Sequence, residues 1–269
     1  MSASLVGSEM CIRDRIKSLV IAFSMYSKIP MPHLELKEKD MRYVMGFFPL
    51  VGAVTGLIMY GLYKISAYLY VPYISVSLIL MILPVVITGG IHLDGYMDTC
   101  DARNSYGDVE KKLGILKDSH IGAFAVIRLL VYYVVFFAFI YCIVSKECDG
   151  LAIAWAFTFF LSRIISGLAA VNLKGAVNKG MLYSFTSKAD RKRVNIMLFC
   201  QLVLCFAGIC FINIILAFII YAVCVAVFLY YRHMAYKEFG GVTGDLAGYL
   251  LCVCELCITA AIGIISLLV

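Results

Sequence analysis

The sequence predicts an all-α fold: a polytopic helical integral membrane protein of about seven transmembrane helices, preceded by a short N-terminal interfacial or re-entrant helix. Three observations lead there. Of 269 residues, 63% are hydrophobic and 15% charged, with a mean hydropathy of +0.94, whereas a soluble domain has roughly 45–50% apolar and 25% charged residues. Apolar runs fill almost the whole chain, and many approach the ~20 residues that a bilayer requires. Lys and Arg gather in alternate links between those runs rather than in all of them.

Residues 1–15 carry neither a helical stripe nor the core of a signal peptide and read as a probable non-native or disordered segment, foreign to the fold. Residues 16–269 read as one membrane-embedded domain. Its first apolar segment, 16–29, is closed by Pro30 and Pro32 and is too short to span comfortably. Spans are expected near 43–69, 75–90, 121–144, 151–171, 194–211, 214–231 and 247–269. The links 37–42, 103–117, 174–193 and 232–237 hold most of the Lys and Arg, while 70–73, 146–150 and 212–213 hold almost none. Seven crossings put all four basic links on one face, and the preference of basic loops for the cytoplasm makes that face cytoplasmic. The net charge of +6 is therefore a topology signal and not a nucleic-acid one. Most of the eleven cysteines lie in apolar runs, where they act as small hydrophobes. Cys252, Cys254 and Cys257 point in separate directions on a helix and cannot share a metal.

The chemistry concentrates in Gly89-Gly90-Ile91-His92-Leu93-Asp94-Gly95-Tyr96-Met97-Asp98-Thr99-Cys100-Asp101, directly after an apolar run. On a helix Asp94, Asp98 and Asp101 fall at i, i+4 and i+7, within an arc of roughly 60°. Three like charges on one stripe call for a compensating cation. Oxygen-only donors suit Mg²⁺, with Mn²⁺ as the alternative, and Mg²⁺ held by carboxylates commonly accompanies a phosphate. His92 is placed to support this stripe by a hydrogen bond rather than to ligate.

Two further motifs fall in the basic links. In Lys117-Asp118-Ser119-His120-Ile121-Gly122, Asp118 offers another oxygen, while Lys117 and His120 offer phosphate contacts. In Gly240-Gly241-Val242-Thr243-Gly244-Asp245, glycines before a helix N-terminus could seat an anion on Gly241, Thr243 and Gly244. Asp245 then caps the helix or binds the metal. Within the spans, Arg163 needs a phosphate or a carboxylate partner, and Glu255 is the candidate carboxylate.

G-G-I-H-L-D-G-Y-M-D-T-C-D, then K-D-S-H-I-G, then G-G-V-T-G-D in that order resembles the cobalamin synthase family, the adenosylcobinamide-GDP ribazoletransferases. Ile29-Pro30-Met31-Pro32, Phe48-Pro49-Leu50-Val51-Gly52 and Ser162-Arg163 extend the likeness. Ala102, His120 and Cys252 depart from the family's usual Gly, Arg and acidic residue. The resemblance implies transfer from adenosylcobinamide-GDP to α-ribazole or its 5′-phosphate, giving adenosylcobalamin or its phosphate and GMP, in the last steps of vitamin B12 assembly. It implies a multi-pass protein of the prokaryotic inner (plasma) membrane, with the lipid bilayer as its surroundings, an active site on the cytoplasmic face and no nucleic-acid partner; a homo-oligomer is compatible with it. Asp94, Asp98, Asp101 and Asp245 would hold Mg²⁺, Asp118 would complete or support the site, and Asp98 or Asp118 would take the hydroxyl proton.

Other classes fit less well. CDP-alcohol phosphatidyltransferases use D-G-x-x-A-R, and the Ala-Arg is missing after Asp94-Gly95 here. Aromatic prenyltransferases carry N-D-x-x-D-x-x-x-D twice, whereas this chain reverses the spacing and has no second copy. A transporter lined by Arg163 and Glu255 is the non-enzyme alternative, but the acids cluster at one face and no repeated halves are visible.

Overall fold

In a computed structural model, residues 15–32, 38–118 and 120–268 are described, and the regular elements among them are helical. The segment expected to be foreign therefore lies, from 1 to 14, outside the described residues, as do Lys37 of the first basic link and Ser119 of the second motif. The chain forms α1 (15–26), a 3-10 turn (Glu38–Met41), α2 (Val44–Tyr68), α3 (Tyr73–Thr88), α4 (Ile91–Asn104), α5 (Val109–Ile115), α6 (Ala123–Ser145), α7 (Asp149–Asn172), α8 (Met181–Ser187), α9 (Arg191–Ile212), α10 (Ile214–Phe239) and α11 (Gly244–Leu268).

Six of these, α2, α6, α7, α9, α10 and α11, are long and apolar enough to cross a membrane, and the α3–α4 pair supplies up to a seventh crossing. This is consistent with the expected polytopic helical fold of about seven transmembrane helices, the seventh being reached only when the bent α3–α4 pair is counted as one crossing. The fine difference lies at the seventh: α3 has 16 residues and passes only together with α4, and the chain bends by 96° between them. Gly89 (φ 68) and Gly90 (φ 82) make that corner. Two consecutive left-handed residues without β-carbons stop α3 and re-aim the chain across the end of the bundle. The Lys28 N–H donates to the Ile87 carbonyl (2.7 Å), satisfying one of the groups left over where α3 ends. α1 is too short to cross, as expected, and buries Ile21, Ala22, Phe23 and Tyr26 against the bundle.

The ends of the spans sort as the charge pattern predicts. At one end Lys64 pairs with Asp149 (2.8 Å) and Tyr73 donates to Glu147. At the other lie the basic links, tied together by Val242 N–H to Lys174 O (2.9 Å), Ala176 N–H to Val242 O (2.9 Å) and Asp190 N–H to Arg42 O (3.1 Å). Capping fixes these ends: Asp190 accepts from Arg193 N–H at the start of α9, and Asn213 accepts from Leu216 N–H at the start of α10. α10 runs two turns beyond the expected 214–231, carrying Arg232–Phe239 away as helix rather than loop.

Small residues bring the central helices together, the usual device where lipid offers no hydrophobic contrast. A Cβ on Gly52 or Gly56 of α2 would strike the α7 backbone at Phe159 or Ala156. α11 is buried between α4, α6, α7 and α10, so its first turn is held firmly beneath α4.

Candidate active site

α4 carries the acidic stripe at the basic end of the bundle. It lies on α11 with almost no space between the backbones. A Cβ on Gly95 would sit 2.8 Å from both Cα and O of Asp245, and one on Gly248 would sit 2.8 Å from the His92 carbonyl. Glycine on each helix therefore lets Asp245 approach the stripe. The carboxylates feel each other: burial, then Asp94, Asp245 and Asp101 in that order, push Asp98 up to about 6 from 3.8. Among the described residues no cation forms an ion pair with Asp94, Asp98, Asp101 or Asp245. Asp94 is exposed and Asp98, Asp101 and Asp245 are half-buried. Gly122, at the entrance to α6, packs directly on the Asp101 carboxylate.

This donor set fits a hard divalent cation: four uncompensated carboxylates, all oxygen, open to solvent. Among the described residues no three acidic, His or Cys side chains already converge as a closed cage. Mg²⁺ tolerates that, since it commonly keeps several waters and takes the rest of its shell from one or two carboxylates and a substrate phosphate.

Through Asp245 the acidic face adjoins a cavity of about 910 Å³. Its walls come from the ends of α5, α7 and α11 and from the 173–191 segment. Lys117, Lys174, Lys179 and Arg191 give it positive charge, Asn178, Thr186 and Thr243 hydrogen-bonding groups, and Leu116, Val177, Met181 and Tyr183 apolar surface. A cationic cavity next to a carboxylate cluster can attract a phosphorylated ligand, and the acids beside it can hold a cation.

A sequence model of the cobalamin-5-phosphate synthase family matches residues 18–263. The chain belongs to that family. It is 42% identical over 241 residues to an adenosylcobinamide-GDP ribazoletransferase of Lachnoclostridium phytofermentans, covering 90% of this chain and 91% of that one. A protein of the same name from Clostridium botulinum strain Alaska E43 is 32% identical over 246 residues, covering 91% and 96%, and one from Clostridioides difficile is 30% identical over 242 residues, covering 87% and 91%. No solved structure matches.

Within this cobalamin-5-phosphate synthase fold the remaining site residues separate into those the structure gathers and those it does not. Lys117, Thr243, Gly244 and Asp245 line the cavity. Thr243 also caps α11, accepting from Leu246 N–H at 3.2 Å, so the capping considered for Asp245 falls to its neighbour. Gly241, expected as an anion seat, serves a backbone crossing instead: a Cβ there would lie 2.6 Å from Ala176 N and Lys174 O. Asp118 is tied to His120, accepting from its N–H (3.0 Å) and meeting Nδ1 at 2.6 Å. That bond to His120 holds its carboxyl below the usual range. Both are exposed, neither lines the cavity, and Asp118 is not among the carboxylates that act on Asp98.

His92 and Arg163 lie away from the carboxylate face. His92 is buried between aromatic rings, 6.0 Å from Tyr26 and 5.6 Å from Phe48, and not against the carboxylates. Burial, then the nearby Arg163 cation, lowers its pKa well below the ordinary histidine value, so it packs as a neutral ring. Arg163 takes the second of its two expected partners. Its NH1 donates to Glu255 Oε1 (2.8 Å) and to Phe159 O (2.8 Å), and Ser162 Oγ donates to the same carboxylate oxygen (3.1 Å). The guanidinium is 1% exposed and does not reach the cavity wall; its distance from the cationic cavity follows from its place in α7, two turns deeper than Ala170.

Residues not singled out in the sequence complete the site. Lys174, Lys179 and Arg191 were visible only as members of a basic link, and Arg103, in the last turn of α4, as another surface cation. Their roles depend on which loops meet, and short-range spacing carries no signal for that.

Proposed function

We propose that the chain transfers the adenosylcobinamide-phosphate group of adenosylcobinamide-GDP to α-ribazole or its 5′-phosphate, releasing GMP and forming adenosylcobalamin or its 5′-phosphate. The observation that carries this is the junction of an uncompensated four-carboxylate face with a cationic cavity in a chain of this family. The names of its relatives supply the donor and the acceptor.

In this reading Asp94, Asp98, Asp101 and Asp245 hold Mg²⁺, which Mn²⁺ would replace. A divalent ion there would supply positive charge to offset the charge developing on the diphosphate. Lys117, Lys174 and Lys179 hold phosphate oxygens, and the aliphatic and aromatic wall of the cavity covers a base or ribose. The ribose hydroxyl of the acceptor attacks the cobinamide-linked phosphorus, the P–O bond to GMP breaks, and the hydroxyl proton passes to a carboxylate. Of the two carboxylates considered for that proton, Asp98 belongs to the acidic face and Asp118 is engaged by His120, which favours Asp98. The basic end of the bundle, and with it the site, faces the cytoplasm, in the cell membrane of a prokaryote.

The test is GMP release by the purified protein in lipid nanodiscs, given adenosylcobinamide-GDP with and without α-ribazole or its 5′-phosphate. Acceptor-dependent release that EDTA abolishes and Mg²⁺ restores is expected. No release would overturn the activity, and release that survives chelation would overturn the metal. Asp94→Asn, Asp98→Asn and Asp101→Asn should each lose orders of magnitude in rate, and wild-type rates in two of them would return the stripe to a solvated surface.

A further inference from the structure

Neither flank of α4 fixes its orientation. It begins at the Gly89-Gly90 corner, where neither residue has a side chain to lock the turn, and ends in the loop before α5. Its roll about its own axis decides where the stripe points. A roll of about 30° would carry a carboxyl lying ~5 Å from the axis by roughly 3 Å, enough to detach it from a shared ion. Something must therefore fix that roll.

The side chain that does so is Arg103. Its NH1 donates to the hydroxyls of Tyr230 (2.7 Å) on α10 and Tyr249 (2.8 Å) on α11. Its Nε and NH2 face Glu238 of α10, at 3.3 Å and 3.2 Å from Oε1. The other Glu238 oxygen accepts from Lys112 of α5 (3.0 Å). The guanidinium carbon stands 5.7 Å from each of the Tyr230 and Tyr249 ring centres. Tyr249 in turn stacks on Tyr96 at 5.6 Å and 9°, and Tyr96 lies on α4 between Asp94 and Asp98. A planar fork with all three of its nitrogens engaged cannot swing without breaking several contacts at once. α4 is thereby held at Gly95 against the Asp245 backbone, at Tyr96 on Tyr249, and at Arg103 on Glu238.

We propose that Arg103, braced by Glu238 and Lys112, is a positioning residue that sets the roll of α4 and so the register of Asp94, Asp98 and Asp101 against Asp245. It touches no carboxylate of that face and acts through helix orientation, not through its own field. The inference rests on the metal-dependent transfer reading above, and its test includes a measurement that needs no turnover.

The experiment compares wild type with Arg103→Gln, Arg103→Lys, Glu238→Gln and the Arg103→Gln/Glu238→Gln double variant, all purified in nanodiscs. Mn²⁺ binding is followed by electron paramagnetic resonance without substrate, and GMP release is measured as a function of Mg²⁺ and donor. Arg103→Gln and Glu238→Gln should each weaken Mn²⁺ binding and raise the half-saturating Mg²⁺ concentration about tenfold. Each should lower kcat by a similar factor, while KM for the GDP-linked donor changes less than threefold. The double variant should be no worse than the poorer single one, because the two residues act as one unit, and Arg103→Lys should recover only part of the loss. Variants that lose thermal stability but bind Mn²⁺ and turn over like wild type in their folded fraction would overturn the proposal, as would additive losses or an effect confined to donor KM. A wild-type protein that binds Mn²⁺ without releasing GMP would overturn the activity and leave the Mn²⁺ comparison to decide the role of Arg103. A wild-type protein that binds no Mn²⁺ would overturn both.

Discussion

Arg163→Ala tests whether the intramembrane cation belongs to the architecture or to the substrate. The side chain is 1% exposed and its carboxylate partner 5%, so neither group has water to fall back on. Truncation removes the NH1 bonds to Glu255 and Phe159 and leaves Glu255 with Ser162 Oγ as its remaining polar contact among the described residues. Leaving one member of a buried pair uncompensated costs about 3–5 kcal/mol. In a chain of this size that lowers the melting temperature by on the order of 10 °C. Glu255→Gln should cost less, since the amide oxygen can still accept from the guanidinium. If the two residues form one unit, the double variant falls short of the sum by about 2 kcal/mol. Arg163→Lys keeps the charge without the fork and should sit between wild type and alanine. The assay is thermal unfolding in a fixed detergent, run on all four proteins and paired with donor KM for those that fold. Additive stability losses would refute the pairing. An Arg163→Ala protein of normal stability with donor KM raised tenfold or more would place the guanidinium on a phosphate instead.

Three further outcomes follow from the geometry. Gly95→Ala puts a methyl group 2.8 Å from the Asp245 backbone, so it should pry α4 from α11, cost about 1–3 kcal/mol, and reduce GMP release at least tenfold; an unchanged rate would show that this close approach is dispensable. Asp98 keeps its proton in the folded, metal-free protein up to about pH 6, whereas the unfolded chain releases it near 3.8. Its contribution to stability is thus present below pH 3.8 and lost as pH rises through 6, so thermal unfolding should show Mg²⁺ stabilising the protein more at pH 8 than at pH 5; equal shifts would refute the shared site. The exposed Cys148 lies at the end of the bundle opposite the basic links and should react with an impermeant maleimide from outside intact cells, while a cysteine placed at Asp108 or Lys237 should be protected; the reverse pattern would invert the topology.

How much of this was legible in the sequence depends on the range of the cause. The spans were legible because bilayer thickness sets a length and apolar composition marks it; α2, α6, α7, α9 and α11 each begin and end within a few residues of expectation. The Asp94, Asp98, Asp101 stripe was legible because helical periodicity is local. The pairing of Arg163 with Glu255 was one of two readings, since a charge in a span requires a partner but does not name it. The corner at Gly89-Gly90 was present as two glycines, yet its 96° angle depends on what α4 finds to lie upon. Asp118 and His120 looked like ligands because they stand near the stripe in sequence, but they satisfy each other locally. The cavity and the Arg103 clamp were illegible, since they join residues 126 to 146 positions apart, and Lys174 and Glu238 carry no mark of the partners they will meet.

The distribution of charge within the fold explains why chemistry is confined to one end. Inside the bundle the described Arg163 and Glu255 pair with each other, through Arg163 NH1 and Glu255 Oε1, so neither charge is left uncompensated. At the basic end the reverse holds: Arg103 and Lys112 are spent on Glu238, while among the described residues Asp94, Asp98, Asp101 and Asp245 form no ion pair, and neither do Lys117, Lys174 and Lys179 of the cavity that Asp245 shares. Unsatisfied acids and unsatisfied bases are kept apart by helices that cannot collapse onto one another, because α4 is pinned by its glycine contacts and by Arg103. In the proposed reading, a divalent cation held by the carboxylates and lysines holding phosphate oxygens would discharge both sets together. In that reading, the stability forgone by leaving those charges unpaired would be returned as affinity when substrate binds.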